Sequence, residues 1–209
     1  MEKKAFIYDL DNTIYAVATI GDELFASLFK LIRESGAFTG SFDKIRDDIM
    51  RKPFQVVAQK YHFSEALTRE GTRLLEDLSY EGPIQPFGDY PEIKNIPGDR
   101  FLVTTGFRKL QASKIRGMGI EPDFKEVRVV DPSTSEKTKK DIFADIMARH
   151  GYRPAEVLVI GDDPESEIKA ARELGIDTVL YDKENRHPNA IATHKISDFK
   201  ELRLLVNPA

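Results

Sequence analysis

The chain begins with a short apolar run that ends directly in two acids. Residues 5–8 read Ala-Phe-Ile-Tyr, and Asp9 and Asp11 follow. Such a run, bounded by polar turn residues, is typical of a buried strand, and open α/β sheets gather their functional side chains beyond the carboxyl ends of such strands. Because residues i and i+2 of an extended chain point the same way, both carboxylates would approach one point. The pair therefore predicts a hard cation such as Mg²⁺ or, as the plainer alternative, turn chemistry.

The composition is that of an ordinary globular protein. Its 209 residues suffice for one large domain or for a core with a small insertion. The net charge of −4 argues against nucleic acid as a partner, because binding to a phosphate backbone needs a basic face. The absence of cysteine excludes disulfides, thiol catalysis and cysteine-based zinc sites. The first strand begins too close to Met1 for a signal peptide, and no apolar run could span a membrane, so we expect a cytoplasmic protein.

Strand and helix patterns alternate over most of the chain, but a helical block interrupts them. Apolar positions with helical spacing recur from about residue 20 to residue 82, where a Gly-Pro pair marks the end of the block. Later strand patterns lie near residues 101–103, 127–130, 157–160, 178–181 and 196. The alternation predicts an α/β fold, with a parallel sheet flanked by helices. We expect residues 1–19 and 83–209 to form this core, and residues 20–82 to form a small all-helical subdomain over the edge that carries Asp9.

Polar residues follow four of the predicted strands, and in a parallel sheet these strand ends share one edge. They are Asp9 and Asp11 after the first strand, Thr104, Thr105 and Gly106 at the second, Lys137 after the third and Asp162 after the fourth. A hydroxyl, a lysine and carboxylates around a cation suit a phosphoryl group, because the cations neutralise its charge and the hydroxyl and backbone amides hold its oxygens. A carboxylate can also act as a covalent nucleophile in phosphoryl transfer.

Most of these residues also have a purely structural interpretation. Thr104 alone would be a β-branched strand residue. Lys137 could be a solvated lysine, although a lysine just before a helix start is easier to explain if it faces an anion. Asp163 precedes a proline and suits a helix N-cap, and Glu167 could be an exposed acid or a support for a metal. The four histidines lack metal-ligand spacing, so oxygen ligands and Mg²⁺ are favoured over zinc.

Four segments together resemble the motifs of the haloacid dehalogenase superfamily, and the resemblance covers nearly the whole chain. In order, they are Asp9-Leu10-Asp11-Asn12-Thr13, then Phe101-Leu102-Val103-Thr104, then Lys137 six residues before Phe143, and finally residues 159–167. This resemblance implies a Rossmann-like core with a helical cap. It also implies a Mg²⁺-dependent phosphatase that forms an aspartyl-phosphate from a small phosphorylated metabolite, such as a nucleotide or a sugar phosphate.

The resemblance further implies a role for each site residue. Asp9 would be the nucleophile, and Asp11 would be the general acid and then the general base. The residues implied to bind the phosphoryl group are Thr104, Thr105, Gly106 and Lys137, of which Lys137 would also neutralise Asp9. The implied Mg²⁺ ligands are Asp9, Asp11 through its backbone carbonyl, and Asp162, with Asp163 and Glu167 supporting the metal indirectly.

Two residues depart from the family pattern, and two other functions stay open. Glu167 stands where aspartate is more usual, and Thr138 replaces the proline that commonly follows the motif lysine. The presence of Asp11 favours phosphate esters over the dehalogenase and phosphonatase chemistry of the superfamily. A sugar phosphomutase is the nearest alternative enzyme. A non-catalytic scaffold is the alternative outside enzymes, but a scaffold has no evident need for the complete set of candidate residues.

Overall fold

A six-stranded parallel sheet forms the centre of the protein. The computed structural model describes residues 2–206. The strands are β1 (Ala5–Tyr8), β2 (Asp99–Thr105), β3 (Glu126–Val130), β4 (Val157–Gly161), β5 (Asp177–Tyr181) and β6 (His194–Ile196). Their order in the sheet is β3-β2-β1-β4-β5-β6, and neighbouring strands run parallel. The predicted α/β fold with a parallel sheet is confirmed.

Helices lie between most successive strands and after the last one. They are α1 (Gly21–Leu24), α2 (Ala26–Ser35), α3 (Phe42–Ile49), α4 (Phe54–Lys60), α5 (Glu65–Asp77), α6 (Arg108–Met118), α7 (Lys139–His150), α8 (Lys169–Glu173) and α9 (Leu202–Val206). A π-helical turn, Pro164–Ile168, precedes α8. Across residues 2–206, none of the helices has the length and apolar character needed to cross a membrane.

Helices α1 to α5 follow β1 and precede β2, where the sequence predicts a helical insertion. Buried residues of this segment, such as Leu28 on α2 and Leu75 on α5, belong to the same hydrophobic cluster as Phe6 and Tyr8 of β1. The insertion and the sheet therefore share a continuous apolar core. That residues 20–82 form a separate cap, with residues 1–19 and 83–209 as the catalytic core, stays a prediction.

Strands β1 and β4 are buried along their whole length, which explains their unbroken apolar sequence. Alternate residues of β1 face opposite layers of helices: Phe6 and Tyr8 join one apolar cluster, whereas Ala5 and Ile7 join the other. Packing on both faces holds the end of β1 in place. The backbone N–H of Asp9 then donates to the carbonyl of Ile160 at 3.0 Å, so the backbone of Asp9 is held against β4.

The chain topology determines where a site can form. From β1 the chain builds β2 and β3 on one side, and then crosses to build β4, β5 and β6 on the other. The connections diverge between β1 and β4, and such a switch point is where open α/β sheets bind ligands. Tyr8 lies opposite Ile160 in the β1–β4 register, so Asp9 and Asp162 emerge at the same edge.

Candidate active site

Three carboxylates meet just beyond β1 and β4. Asp9, Asp162 and Glu167 place carboxylate oxygens within 4.8 Å of one another, and Asp9 and Glu167 are buried. Burial raises the pKa of Asp9 to about 7, against the lowering effect of Lys139 and with a further rise from Glu167. Burial, Glu167 and Asp9 likewise raise the pKa of Asp162 well above its ordinary value. Without a cation, ionising all of these buried and mutually close carboxylates is therefore unfavourable.

A lysine of α7, Lys139, contacts this cluster. Its Nζ lies 2.6 Å from Oδ1 of Asp9 and 2.7 Å from Oε2 of Glu167, and its side chain is 7% exposed. The predicted position of Lys137 beside Asp9 is wrong. Lys137 is exposed, and its backbone N–H donates to Oγ of Ser135 in the loop before α7.

The start of α7 explains the difference between the two lysines. Thr138 is the N-cap, because its side chain accepts from the N–H of Asp141 and the side chain of Asp141 accepts from the N–H of Thr138. Lys139 is therefore the first helical residue, and helical side chains lean toward the helix N-terminus, which lies at the sheet edge. Lys137 precedes the cap. The Thr-x-x-Asp spacing is a capping-box signal from which the sequence alone could have identified Lys139.

The π-helical turn before α8 brings Glu167 into the cluster, and such turns are frequent at functional sites. Oε1 of Glu167 accepts from the N–H of Asp163 at 2.7 Å. Gly161 leaves the necessary room, because a Cβ atom there would lie 2.2 Å from this same oxygen. The side chain of Asp163 accepts from the N–H of Glu165 at 2.9 Å and caps the turn. Glu167 thus lies in the carboxylate cluster itself, whereas the Asp163 side chain stabilises local structure.

The side chain of Asp11 is not part of this carboxylate cluster, and within residues 2–206 it accepts three hydrogen bonds. Its Oδ1 accepts from Nζ of Lys114 at 2.8 Å and from the hydroxyl of Tyr15 at 2.6 Å. Its Oδ2 accepts from Nε2 of Gln111 at 2.8 Å. Burial acts to raise the pKa of Asp11, but Lys114 and the three hydrogen bonds lower the pKa overall. Sequence reasoning missed Gln111 and Lys114; their i, i+3 spacing in the helix after Thr104 was the available signal.

The end of β2 lies beside Asp11. Thr104 is buried, and its hydroxyl oxygen accepts from Nε2 of Gln111 at 2.6 Å. The chain then turns into α6 at Gly106, whose φ of 152° is readily adopted only by glycine. The N–H of Gly106 donates to the carbonyl of Val130 at 3.0 Å, so this amide is engaged within the sheet. Thr104, Thr105 and Gly106 all line the same cleft as Asp9 and Asp11.

A cleft separates the sheet edge from the helical insertion and contains these residues. It encloses about 830 Å³ of space, counted with its open mouth. The wall contributed by the insertion and the segment before it includes Val17, Phe25, Ile49, Met50, Arg51, Lys52, Phe54 and Leu75. This wall is mostly apolar with two cations, Arg51 and Lys52, so it can contact both carbon surfaces and anionic groups of a small molecule.

Asn12 ties the insertion to the loop that carries the two acids. Its Nδ2 donates to the carbonyl of Met50 at 3.2 Å, and its Oδ1 accepts from the N–H of Val17 at 3.2 Å. The φ of Asn12 is 59°, a left-handed conformation that asparagine tolerates better than most residues. The insertion is therefore held above Asp9 and Asp11 by the same loop that presents them.

Comparison with known proteins agrees with this architecture. Residues 3–175 match the family of haloacid dehalogenase-like hydrolases. The chain belongs to this family. The HAD-hydrolase YfnB of Bacillus subtilis is 28% identical over 170 residues, covering 78% of this chain and 71% of that protein. The glyceraldehyde 3-phosphate phosphatase of Methanopyrus kandleri is 25% identical over 225 residues, covering 95% of each chain.

A solved structure supports the fold of this haloacid dehalogenase-like hydrolase. The magnesium-bound crystal structure of YfnB matches with a TM-score of 0.66 at 20% identity, covering 99% of this chain and 100% of that one. The resemblance to the superfamily that the four sequence motifs indicate is thereby confirmed at the level of family and fold.

The donor set of this hydrolase fits a hard divalent cation. Asp9, Asp162 and Glu167 offer only oxygen ligands, and oxygen ligation suits Mg²⁺ better than zinc. When all three are ionised, Lys139 compensates one of their charges and leaves two negative charges without a neutralising partner in the cluster. Glu167 thus joins Asp9 and Asp162 in the set that could hold the ion, whereas the side chain of Asp11 does not.

Proposed function

We propose that this hydrolase is a Mg²⁺-dependent phosphatase of small phosphorylated metabolites. The observation that carries the proposal is the convergence of Asp9, Asp11, Thr104 and Lys139 on one cleft beside an all-oxygen carboxylate cluster. The similarity to a glyceraldehyde 3-phosphate phosphatase over 95% of both chains supports phosphate-ester chemistry. The magnesium bound in the YfnB structure supports the choice of metal.

In the proposed reaction Asp9 attacks phosphorus, forming an aspartyl-phosphate as the bond to the leaving oxygen breaks. Asp11 in its protonated form donates its proton to that oxygen, and the remaining carboxylate, the form that its lowered pKa favours, then takes a proton from the water that hydrolyses the intermediate, which regenerates Asp9. Lys139 and the hydroxyl of Thr104 stabilise the negative charge of the transferring group. Bound Mg²⁺, held by Asp9, Asp162 and Glu167, would supply additional positive charge to the site.

Binding of Mg²⁺ is expected to stabilise the fold as well as to enable turnover. A cation that neutralises the carboxylate cluster binds the native state, and at 100 times Kd this linkage contributes about 2.7 kcal/mol. Thermal unfolding in chelator should therefore shift to higher temperature with MgCl₂, and phosphate release should stop with chelator and return with Mg²⁺. The matched control is Asp162→Asn, which should lose most of the shift. An equal shift from NaCl of the same ionic strength, or rescue of activity by zinc alone, would contradict a specific Mg²⁺ site.

The position of the insertion predicts small substrates. A covered cleft excludes water and lets remote parts of a metabolite contribute binding energy to catalysis. Released phosphate should be compared on one preparation for an aryl phosphate, a panel of phosphorylated metabolites and a folded phosphoprotein. We expect the best metabolite to exceed the aryl phosphate in kcat/KM by about tenfold or more, with the phosphoprotein lowest. If the phosphoprotein had the highest kcat/KM, the insertion would be a docking surface and not a lid.

A further inference from the structure

Two polar side chains of α6 are buried at the sheet edge with no part in the reaction above. Gln111 is 1% exposed and Lys114 is 3% exposed. Burying an amide or an ammonium group is unfavourable unless each finds hydrogen-bond partners. Gln111 finds them in Asp11 and Thr104, which lie 100 and 7 residues away in sequence, and Lys114 finds a partner in Asp11, 103 residues away. Asp11 and Thr104 are side chains proposed to do chemistry.

Gln111 joins the two reactive groups through one nitrogen. Its Nε2 carries two hydrogens, and its two shortest contacts are Oγ1 of Thr104 at 2.6 Å and Oδ2 of Asp11 at 2.8 Å. Because the ionised carboxylate can only accept, the amide nitrogen must face it. Oγ1 of Thr104 accepts from Gln111, so its own hydrogen is free to donate to a phosphoryl oxygen. Gly106 leaves room, since a Cβ there would lie 3.1 Å from the Gln111 side chain.

Lys114 fixes the other oxygen of Asp11. Its Nζ and the hydroxyl of Tyr15 both donate to Oδ1, at 2.8 Å and 2.6 Å, and so occupy both lone pairs of that oxygen. Among residues 2–206, the donor that Oδ2 receives is the N–H of Gln111, so a lone pair of Oδ2 is left to bind or release a proton. Three donors around one carboxylate define its plane, and Oδ2 becomes the oxygen that exchanges a proton with the substrate.

We propose that Gln111 and Lys114 are positioning residues: Lys114 orients Asp11 for proton transfer to the leaving group, and Gln111 couples that orientation to the Thr104 hydroxyl. This inference rests on the proposed phosphatase function. A merely structural role would have the pair stabilise α6 against the sheet. The two roles predict different results when the side chain is removed. A positioning role makes the loss of kcat/KM depend on the leaving group, whereas a structural role lowers kcat/KM equally for all leaving groups.

The test uses aryl phosphates whose leaving groups differ in basicity. The dinitrophenolate of 2,4-dinitrophenyl phosphate leaves without a proton, whereas the leaving group of phenyl phosphate gains from general acid catalysis. We expect Lys114→Met to lower kcat/KM for phenyl phosphate by about 10- to 100-fold, a part of the roughly 10²- to 10⁴-fold that general acid catalysis contributes, and for the dinitrophenyl ester by less than about threefold. The matched control is Lys109→Met, an exposed lysine on the same helix, which should change neither rate.

Gln111→Met provides a second, near-isosteric variant if Lys114→Met does not fold. It should show the same dependence on the leaving group. In addition, inhibition by inorganic phosphate should weaken on the order of fivefold, because the Thr104 hydroxyl loses its orientation. Equal losses for both esters in both variants, or no loss in either, would overturn the positioning role.

Two further variants separate failure of this inference from failure of the proposed function. If Asp9→Asn keeps the parent rate, the phosphatase mechanism fails, and the positioning role fails with it. A second outcome has Asp9→Asn inactive and the loss of kcat/KM in Asp11→Asn larger for phenyl phosphate than for the dinitrophenyl ester. If the losses in Lys114→Met and Gln111→Met show no such difference between the esters, only the positioning role fails. If Asp11→Asn and Lys114→Met both lose more kcat/KM for phenyl phosphate than for the dinitrophenyl ester, the positioning role is supported.

Discussion

Replacement of Asp9 by asparagine is expected to remove essentially all turnover and leave the fold intact. The amide has the size of the carboxylate but cannot attack phosphorus, and removal of an attacking group lowers kcat by about 10⁴-fold or more. Phosphate release should be measured with the best substrate at saturating Mg²⁺. Acid quenching during turnover should trap a phosphorylated parent protein and no phosphorylated Asp9→Asn variant. Activity near the parent rate would exclude Asp9 as the nucleophile.

The stability of Asp9→Asn provides its folding control, and the sign follows from the pKa. The pKa of Asp9, raised by burial to about 7 from 3.8, means that the folded protein binds the proton more tightly than the unfolded chain does. The carboxyl group therefore stabilises the fold below the unfolded pKa, and this stabilisation is lost as pH rises through about 7. In metal-free buffer at pH 8, Asp9→Asn should unfold at a higher temperature than the parent. The difference should shrink toward pH 4.

Replacement of Lys139 by methionine is expected to lower kcat by about 10²- to 10³-fold, the scale of losing one preorganised electrostatic group. Lys139 is the cation between Asp9 and Glu167, so its loss leaves the nucleophile and the transferring phosphoryl group without that positive charge. The matched control is Lys137→Met, only two residues earlier in the chain but exposed. Its kcat should stay within about twofold of the parent, because an exposed substitution of this kind usually changes the free energy of the protein by no more than about 0.5 kcal/mol.

For the two lysine variants, binding of Mg²⁺ should be measured as well as kcat. The Mg²⁺-dependent rise in unfolding temperature should persist in Lys139→Met, because all three carboxylates that could hold the ion are still present. If Lys137→Met lowered kcat as much as Lys139→Met does, Lys137 would have the role that the sequence first indicated for it, neutralising Asp9 and the phosphoryl group. Loss of the Mg²⁺ effect in Lys139→Met would mean that the substitution damages the site as a whole.

Sequence patterns predict the fold and the strand ends because both depend on local periodicity. The apolar run of β1, the alternation of strands and helices, and the helical insertion are all visible in the chain, and the α/β fold is confirmed. The structure also brings Asp9, Thr104 and Asp162 to one cleft, as their positions at strand ends predict. Strand ends are predictable in this way because parallel strands deliver the residues that follow them to one edge. The catalytic roles of these residues stay predictions.

Helical side chains at the site are less predictable, because a shift of one or two residues turns a side chain from the cleft to solvent. The N-cap at Thr138 decides that Lys139 and not Lys137 reaches Asp9. The packing of α6 against the sheet decides that Gln111 and Lys114 contact Asp11, about 100 residues distant in sequence. Local sequence patterns determine which segments form strands and helices. Contacts between segments distant in sequence depend on how whole helices and strands pack, and those contacts form the surroundings of Asp9 and Asp11.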